Sequence, residues 1–132
     1  MKDILKAVYD RAVAANNFYD ALSNQLYLNS APQGISKPYS VFQLITDVAT
    51  YNFTSTFDEA EIQIDIIDDN NSSDILDYAD KCMTDLDDCT LTVAGHQFLK
   101  MERDFCLLTE DPEEEIQRYT IDYSVITRKD NA

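Results

Sequence analysis

The sequence predicts an α+β fold: a mostly antiparallel sheet with an N-terminal helix and one main helix packed on one face. Three observations predict it. From Phe57 to Asp68 apolar and polar residues alternate, with Ala60, Ile62, Ile64 and Ile66 facing one way and Glu59, Glu61, Gln63 and Asp65 the other. A period of two is that of a strand with one face on a core and one in polar surroundings. After Asp68-Asp69-Asn70-Asn71 the period changes, and Ile75, Leu76, Ala79, Cys82, Met83 and Leu86 recur at helical spacing. Strand-like segments on both sides of this unit extend the sheet.

Taken in order, Asp3 to about Ala15 reads as a helix whose stripe is Ile4, Leu5, Val8, Ala12 and Ala15. Asn16-Asn17 breaks it, and Phe18 to Leu22 forms a short second helix capped by Asn17. Leu26-Tyr27-Leu28 is a short strand, and Asn29 to Lys37 is a loop punctuated by Pro32, Gly34 and the following Pro38. Pro38 opens a strand from Tyr39 to Thr46, apolar on both alternating faces and therefore expected to be covered on two sides. Asp47 to Thr56 reads as the tip of a long antiparallel hairpin, with Tyr51 and Phe53 standing among Thr, Ser and Asn. Ser72 or Ser73 is the expected N-cap of the main helix, with Asp74 at the positive end of its dipole. Thr90 to Val93 and Phe98 to Leu108 read as strands about a turn at Ala94-Gly95; the second places Leu99, Met101, Phe105 and Leu107 on one face, interrupted by Arg103. An acidic turn, Glu110 to Glu115, leads into a last strand from Ile116 to Thr127, and residues 128–132 read as a frayed tail. Val41, Ile62, Ile64, Leu76, Ala79, Met83, Ile121 and Tyr123 are the expected core.

A chain of 132 residues with 45% hydrophobic residues is expected to form a single domain, 1–132, with its own core. Only 2 Gly and 3 Pro favour long regular elements. No apolar run reaches the ~20 residues of a membrane span, and Met1 to Lys6 begins a helix rather than a secretory signal, so no membrane partner is expected. Cys82, Cys89 and Cys106 are odd in number and lack the paired spacing of a zinc site, which fits a reducing, cytosolic origin. The net charge of -15 is uneven: residues 1–56 are balanced, whereas residues 57–90 carry twelve acids against Lys81 alone. Such a field opposes nucleic-acid binding, which needs Lys and Arg to displace counterions from phosphates.

No catalytic constellation is evident. The single histidine, His96, falls at a turn tip, where a surface role is expected, and neither Gly34 nor Gly95 has the companions of a phosphate-cradling loop. A carboxylate metal site around Asp65, Asp68 and Asp69 is conceivable, but the run lacks the spacing and glycine of a calcium loop, and the expectation is no metal.

Taken together, several segments carry a resemblance. These are the N-terminal helix with Leu26-Tyr27-Leu28, then Ala31-Pro32-Gln33-Gly34 leading to Pro38-Tyr39-Ser40-Val41-Phe42-Gln43, then Ala60-Glu61-Ile62-Gln63-Ile64-Asp65 and a helix ending in Leu86-Asp87. A strand with Glu102-Arg103-Asp104, an acidic turn and Arg118-Tyr119-Thr120-Ile121-Asp122-Tyr123 follow. In this order they resemble the tail-completion, or tail-terminator, proteins of long-tailed bacteriophages and related prophage or gene-transfer particles. The sequence departs from that pattern in lacking glycines between Thr46 and Phe57.

The resemblance implies a structural virion protein of the tail–neck region, assembled in the host cytoplasm. It implies a homohexameric ring that caps the tail tube protein and joins it to the head-completion (neck) protein, with no catalysis and no cofactor. On that reading Tyr51, Phe53 and Phe57 are the expected interface residues. Glu59, Glu61, Asp65, Glu113, Glu114 and Glu115 are the acids expected to line a channel through which DNA passes without being bound. The alternatives are an acidic protein-binding module such as a DNA mimic, or a head–tail adaptor or tube subunit of the same particle.

Overall fold

A computed structural model describes residues 2–52 and 54–130. In chain order the elements are α1 (Lys2–Ala15), α2 (Asn17–Ala21), β1 (Leu26–Leu28), β2 (Tyr39–Tyr51), β3 (Ser55–Asp69), α3 (Ile75–Leu86), β4 (Gln97–Asp111) and β5 (Ile116–Asp130). The strands form one sheet in the order β1-β2-β3-β5-β4. β1 runs parallel to β2, and every other neighbour is antiparallel. This is the predicted α+β class.

The isoleucine stripe of β3 makes the core. Ile62 lies between Leu44 and Tyr123, Ile64 between Phe42 and Ile121, and Ile66 between Ser40 and Tyr119. All three isoleucines are fully buried, together with Ile4, Val8 and Ala12 of α1 and Ile75, Ala79, Cys82 and Leu86 of α3. Phe42 adds aromatic contacts to Tyr9 and Phe18, with ring centroids 6.0 and 6.5 Å apart.

Three core assignments change. The buried positions of α3 recur at steps of four, three and four, which turns Leu76 outward to 52% exposure and leaves Met83 half-buried at the margin. Val41 is half-buried on the opposite sheet face, because its neighbours Ser40 and Phe42 hold the inward positions. Coverage of β2 on both sides also fails: from Ile45 onward, past a bulge at Leu44/Thr46, the strand is exposed.

Four further expectations are corrected. Thr90–Val93 is not a strand; β5 occupies the place beside β3, and Leu91 and Val93 close the rim of the core without joining a ladder. On β4, bulges at Phe98/Lys100 and Arg103/Phe105 break the alternation. Met101 and Arg103, opposite Val125 and Tyr123, share the helix side, whereas Phe105 and Leu107, opposite Asp122 and Thr120, lie on the other. Residues 128–130 are not frayed: Arg128, Lys129 and Asp130 pair with Phe57, Thr56 and Ser55. His96 lies on the turn as expected, but its Nε2 is 3.9 Å from Asp58 and its side chain is buried there.

Helix starts differ as well. Asp74, not Ser72 or Ser73, is the N-cap of α3; Ser72 Oγ accepts the Asp74 N–H at 3.2 Å and shapes the turn before it. The N-cap of α2 is Asn16, in the left-handed region and without a side-chain cap bond. That bond comes from across the fold, where Asp85 of α3 accepts the Phe18 N–H at 3.0 Å and the Asn17 amide at 2.8 Å.

Candidate assembly surfaces

The sheet face away from the helices carries the polar half of the β3 alternation. Glu59 pairs across to Val48 and Ile126, Glu61 to Thr46 and Ser124, Gln63 to Gln43 and Asp122, and Asp65 to Val41 and Thr120. Glu59 is exposed, Glu61 half-buried and Asp65 only 8% exposed. Asp65 is committed within the sheet, accepting Thr120 Oγ1 at 2.6 Å and Gln63 Nε2 at 3.0 Å.

Two acids not singled out in the sequence complete this face. Asp122 follows from the alternation of β5, opposite in direction to Ile121 and Tyr123. Asp104 comes from the β4 bulge and accepts Ser124 Oγ at 2.5 Å. Burial raises the Glu61 pKa, as do a hydrogen bond that protonated Glu61 donates to Asp104 and the charges of Asp104, Asp122 and Glu59. Burial also raises Asp122, followed by the charges of Asp65 and Asp104, and Asp122 Oδ1 has no hydrogen-bond partner among the described residues. None of the ion pairs among the described residues reaches Glu59, Glu61 or Asp65; Lys100 holds Glu102 at 2.5 Å and Arg103 holds Asp87 at 3.5 Å.

The sign of the resulting pH effect is fixed. Acids whose pKa is higher folded than unfolded bind more protons in the folded state, so stability falls as pH rises from the ordinary carboxylate range through the raised values. Glu61→Gln is therefore expected to raise the melting temperature at neutral pH by a few degrees and to leave it unchanged near pH 4, a difference that paired thermal melts measure.

The other expected acids sit elsewhere. Glu113, Glu114 and Glu115 are exposed in the β4–β5 turn, where Asp111 Oδ1 accepts the N–H groups of Glu113 and Glu114 and the Glu115 carbonyl accepts the Asn70 N–H. The β2–β3 hairpin tip lies at the opposite end of the sheet. There the Asn52 side chain accepts the Thr54 and Ser55 N–H groups at 3.0 and 2.7 Å, shaping the turn where the sequence has no glycine. Tyr51 beside it is 75% exposed, Phe57 is half-buried, and Phe53 lies outside the described residues.

Asp65 and Asp68 point to opposite faces of β3, so the conceivable site with Asp69 is not formed. Among the described residues no group of three His, Cys, Asp or Glu side chains is placed to hold a metal ion. The three cysteines are unpaired, and no helix among the described residues is long and apolar enough to cross a membrane.

No curated protein matches the chain. Among solved structures it is similar to a chain of the virion of a native gene transfer agent particle. The two superpose with a TM-score of 0.78 at 14% identity, over 94% of this chain and 93% of that one, a likeness of fold. The family model described as tail completion protein gp17 matches residues 6–128, which take in nearly the whole sheet, most of α1 and all of α2 and α3. The chain thus belongs to the tail completion protein gp17 family and is a structural protein of the virion tail.

Proposed function

We propose that the protein forms a six-fold ring that terminates the tail tube and joins it to the head-completion protein of the neck, without catalysis or cofactor. The observation that carries this reading is the family match over residues 6–128. The geometry supports it. Strands of 15 residues in β3, β4 and β5 span about 50 Å at the usual rise per residue, so the sheet offers two distant ends for two partners. The hairpin tip with Tyr51 is at one end and the Glu113–Glu115 turn at the other.

In this ring the acidic sheet face looks into the bore. Glu59 and Glu61 present carboxylates to passing DNA, Asp65 adds its field from within the sheet, and Glu113, Glu114 and Glu115 mark one mouth. Like charge keeps the duplex from adhering, since phosphates find no cations there to replace their counterions. A free DNA mimic fits less well, because Asp104 lies close enough to suppress the ionisation of Glu61, which breaks an even spacing of charges.

Particles assembled without this protein are expected to carry overlong tails detached from heads, visible by electron microscopy. Tails of normal length still joined to heads would overturn the reading. Tyr51, Phe53 and Phe57 are assigned to contacts of the ring with its neighbours, aromatic area being well suited to an interface. The double substitution Tyr51→Ser with Phe53→Ser is expected to keep a wild-type melt and to abolish tail completion in the same assay; loss of the melt would instead place these rings in the fold.

A further inference from the structure

We infer that ring closure occurs by sheet extension, the outer edge of β4 in one copy pairing antiparallel with the outer half of β2 in the next. This rests on the ring reading above and names its contact. Both edges are long and lack a strand partner among the described residues. β1 covers β2 only at Ser40–Phe42, leaving Gln43–Tyr51 open, and β4 ends the sheet along its whole length. Open edges of this kind are templates for pairing with another chain.

The polarity is correct for a repeat. β2 and β5 run one way and β3 and β4 the other, so placing β4 beside the next copy's β2 continues the antiparallel order. The backbone alternation also agrees. Ser40 N–H donates to Gln25 and Phe42 accepts from Asn29, so these residues point their peptide groups outward. The one-residue bulge at Leu44/Thr46 switches the parity, turning the Ala49 N–H outward. Carried across β3 and β5, the same alternation turns the Arg103 N–H outward on β4.

Side chains match in height. Leu44 and Arg103 share one rung through Ile62 and Tyr123, and Val48 and Lys100 share another through Glu59 and Ile126. Lys100 thus meets uncharged Val48, and Arg103 meets Leu44, so no like charges oppose one another on these rungs. Exposed Ile45 and Val48 on β2 and Leu99 and Phe105 on β4 supply apolar area. The contact is head-to-tail, the kind that builds a ring when its rotation closes and never a two-fold dimer.

Native mass spectrometry of the full chain tests this. The wild type is expected to form a closed ring, whereas Ala49→Pro and Arg103→Pro, each removing one outward N–H, are expected to remain monomers with cooperative melts. Mixing the two leaves one intact edge on each partner and is expected to give a dimer of one copy of each, and nothing larger. Should a proline variant lose its melt, Val48→Lys is expected to weaken assembly against Lys100, and adding Lys100→Glu to restore it. Assembly of either proline variant alone, a mixture that stays monomeric, a failed charge swap, or a wild type that remains monomeric at high concentration overturns the pairing. Tail length, scored separately, reports on the terminator reading whichever way the pairing falls.

Discussion

Ile64→Asp is expected to abolish the cooperative thermal transition. Ile64 is fully buried between Phe42 and Ile121, in a cluster closed by α1 and α3. A carboxylate there loses its hydration and gains no cation, and the isoleucine's transfer energy of about 1.5–3 kcal/mol is lost as well. Against a whole-domain stability of about 5–15 kcal/mol, a loss above about 4 kcal/mol leaves little folded protein. Ile64→Val, which removes one methyl group, costs only about 0.5–1.5 kcal/mol and serves as the control. Circular dichroism melts of the two variants check this, and a cooperative Ile64→Asp melt near wild type would contradict the placement of β3.

Asp85→Ala is the second large effect expected. Asp85 is 3% exposed and joins α3 to the start of α2, accepting the Phe18 N–H and the Asn17 amide; Arg11 Nε donates to its backbone carbonyl at 3.2 Å. Alanine removes a helix cap, worth about 0.5–2 kcal/mol, and strands a buried N–H, which costs about 1–3 kcal/mol. A loss of about 2–4 kcal/mol in urea unfolding is expected, with Asp85→Asn intermediate because its carbonyl still accepts one bond. Phe18 and Leu22 are buried under this contact, so the amide of Phe18 is expected to lose hydrogen-exchange protection first. An unchanged urea midpoint would show that the cap carries no weight.

Much of this architecture is legible in single residues. The isoleucine stripe of β3 is readable because one face of that strand is buried and the other is not, the condition under which alternation reports burial. The acids Glu59 and Glu61 were readable by the same rule. Long-range geometry was less so. Leu76 fits a helical stripe by spacing, and only the rotation of α3 against the sheet turns it out. Leu91 and Val93 alternate like a strand, yet their place beside β3 belongs to β5, a choice made by topology. The cap of α2 comes from Asp85, 67 residues beyond Phe18, which local rules cannot reach. On β4 two bulges invert the expected face of Phe105 and Leu107, and bulges leave no mark in an alternation count. Asp122 was available to the alternation of β5, but its significance appears only beside Asp104 and Glu61.

Adding the purified protein to polymerising tail tube protein tests the terminator account most directly. Tubes are expected to stop growing and to carry, at one end only, a six-fold ring with Glu59 and Glu61 facing its bore in averaged electron micrographs. Tubes that lengthen at the unperturbed rate with no protein at their ends, or a ring whose Glu59 and Glu61 point to the outer rim, would contradict it.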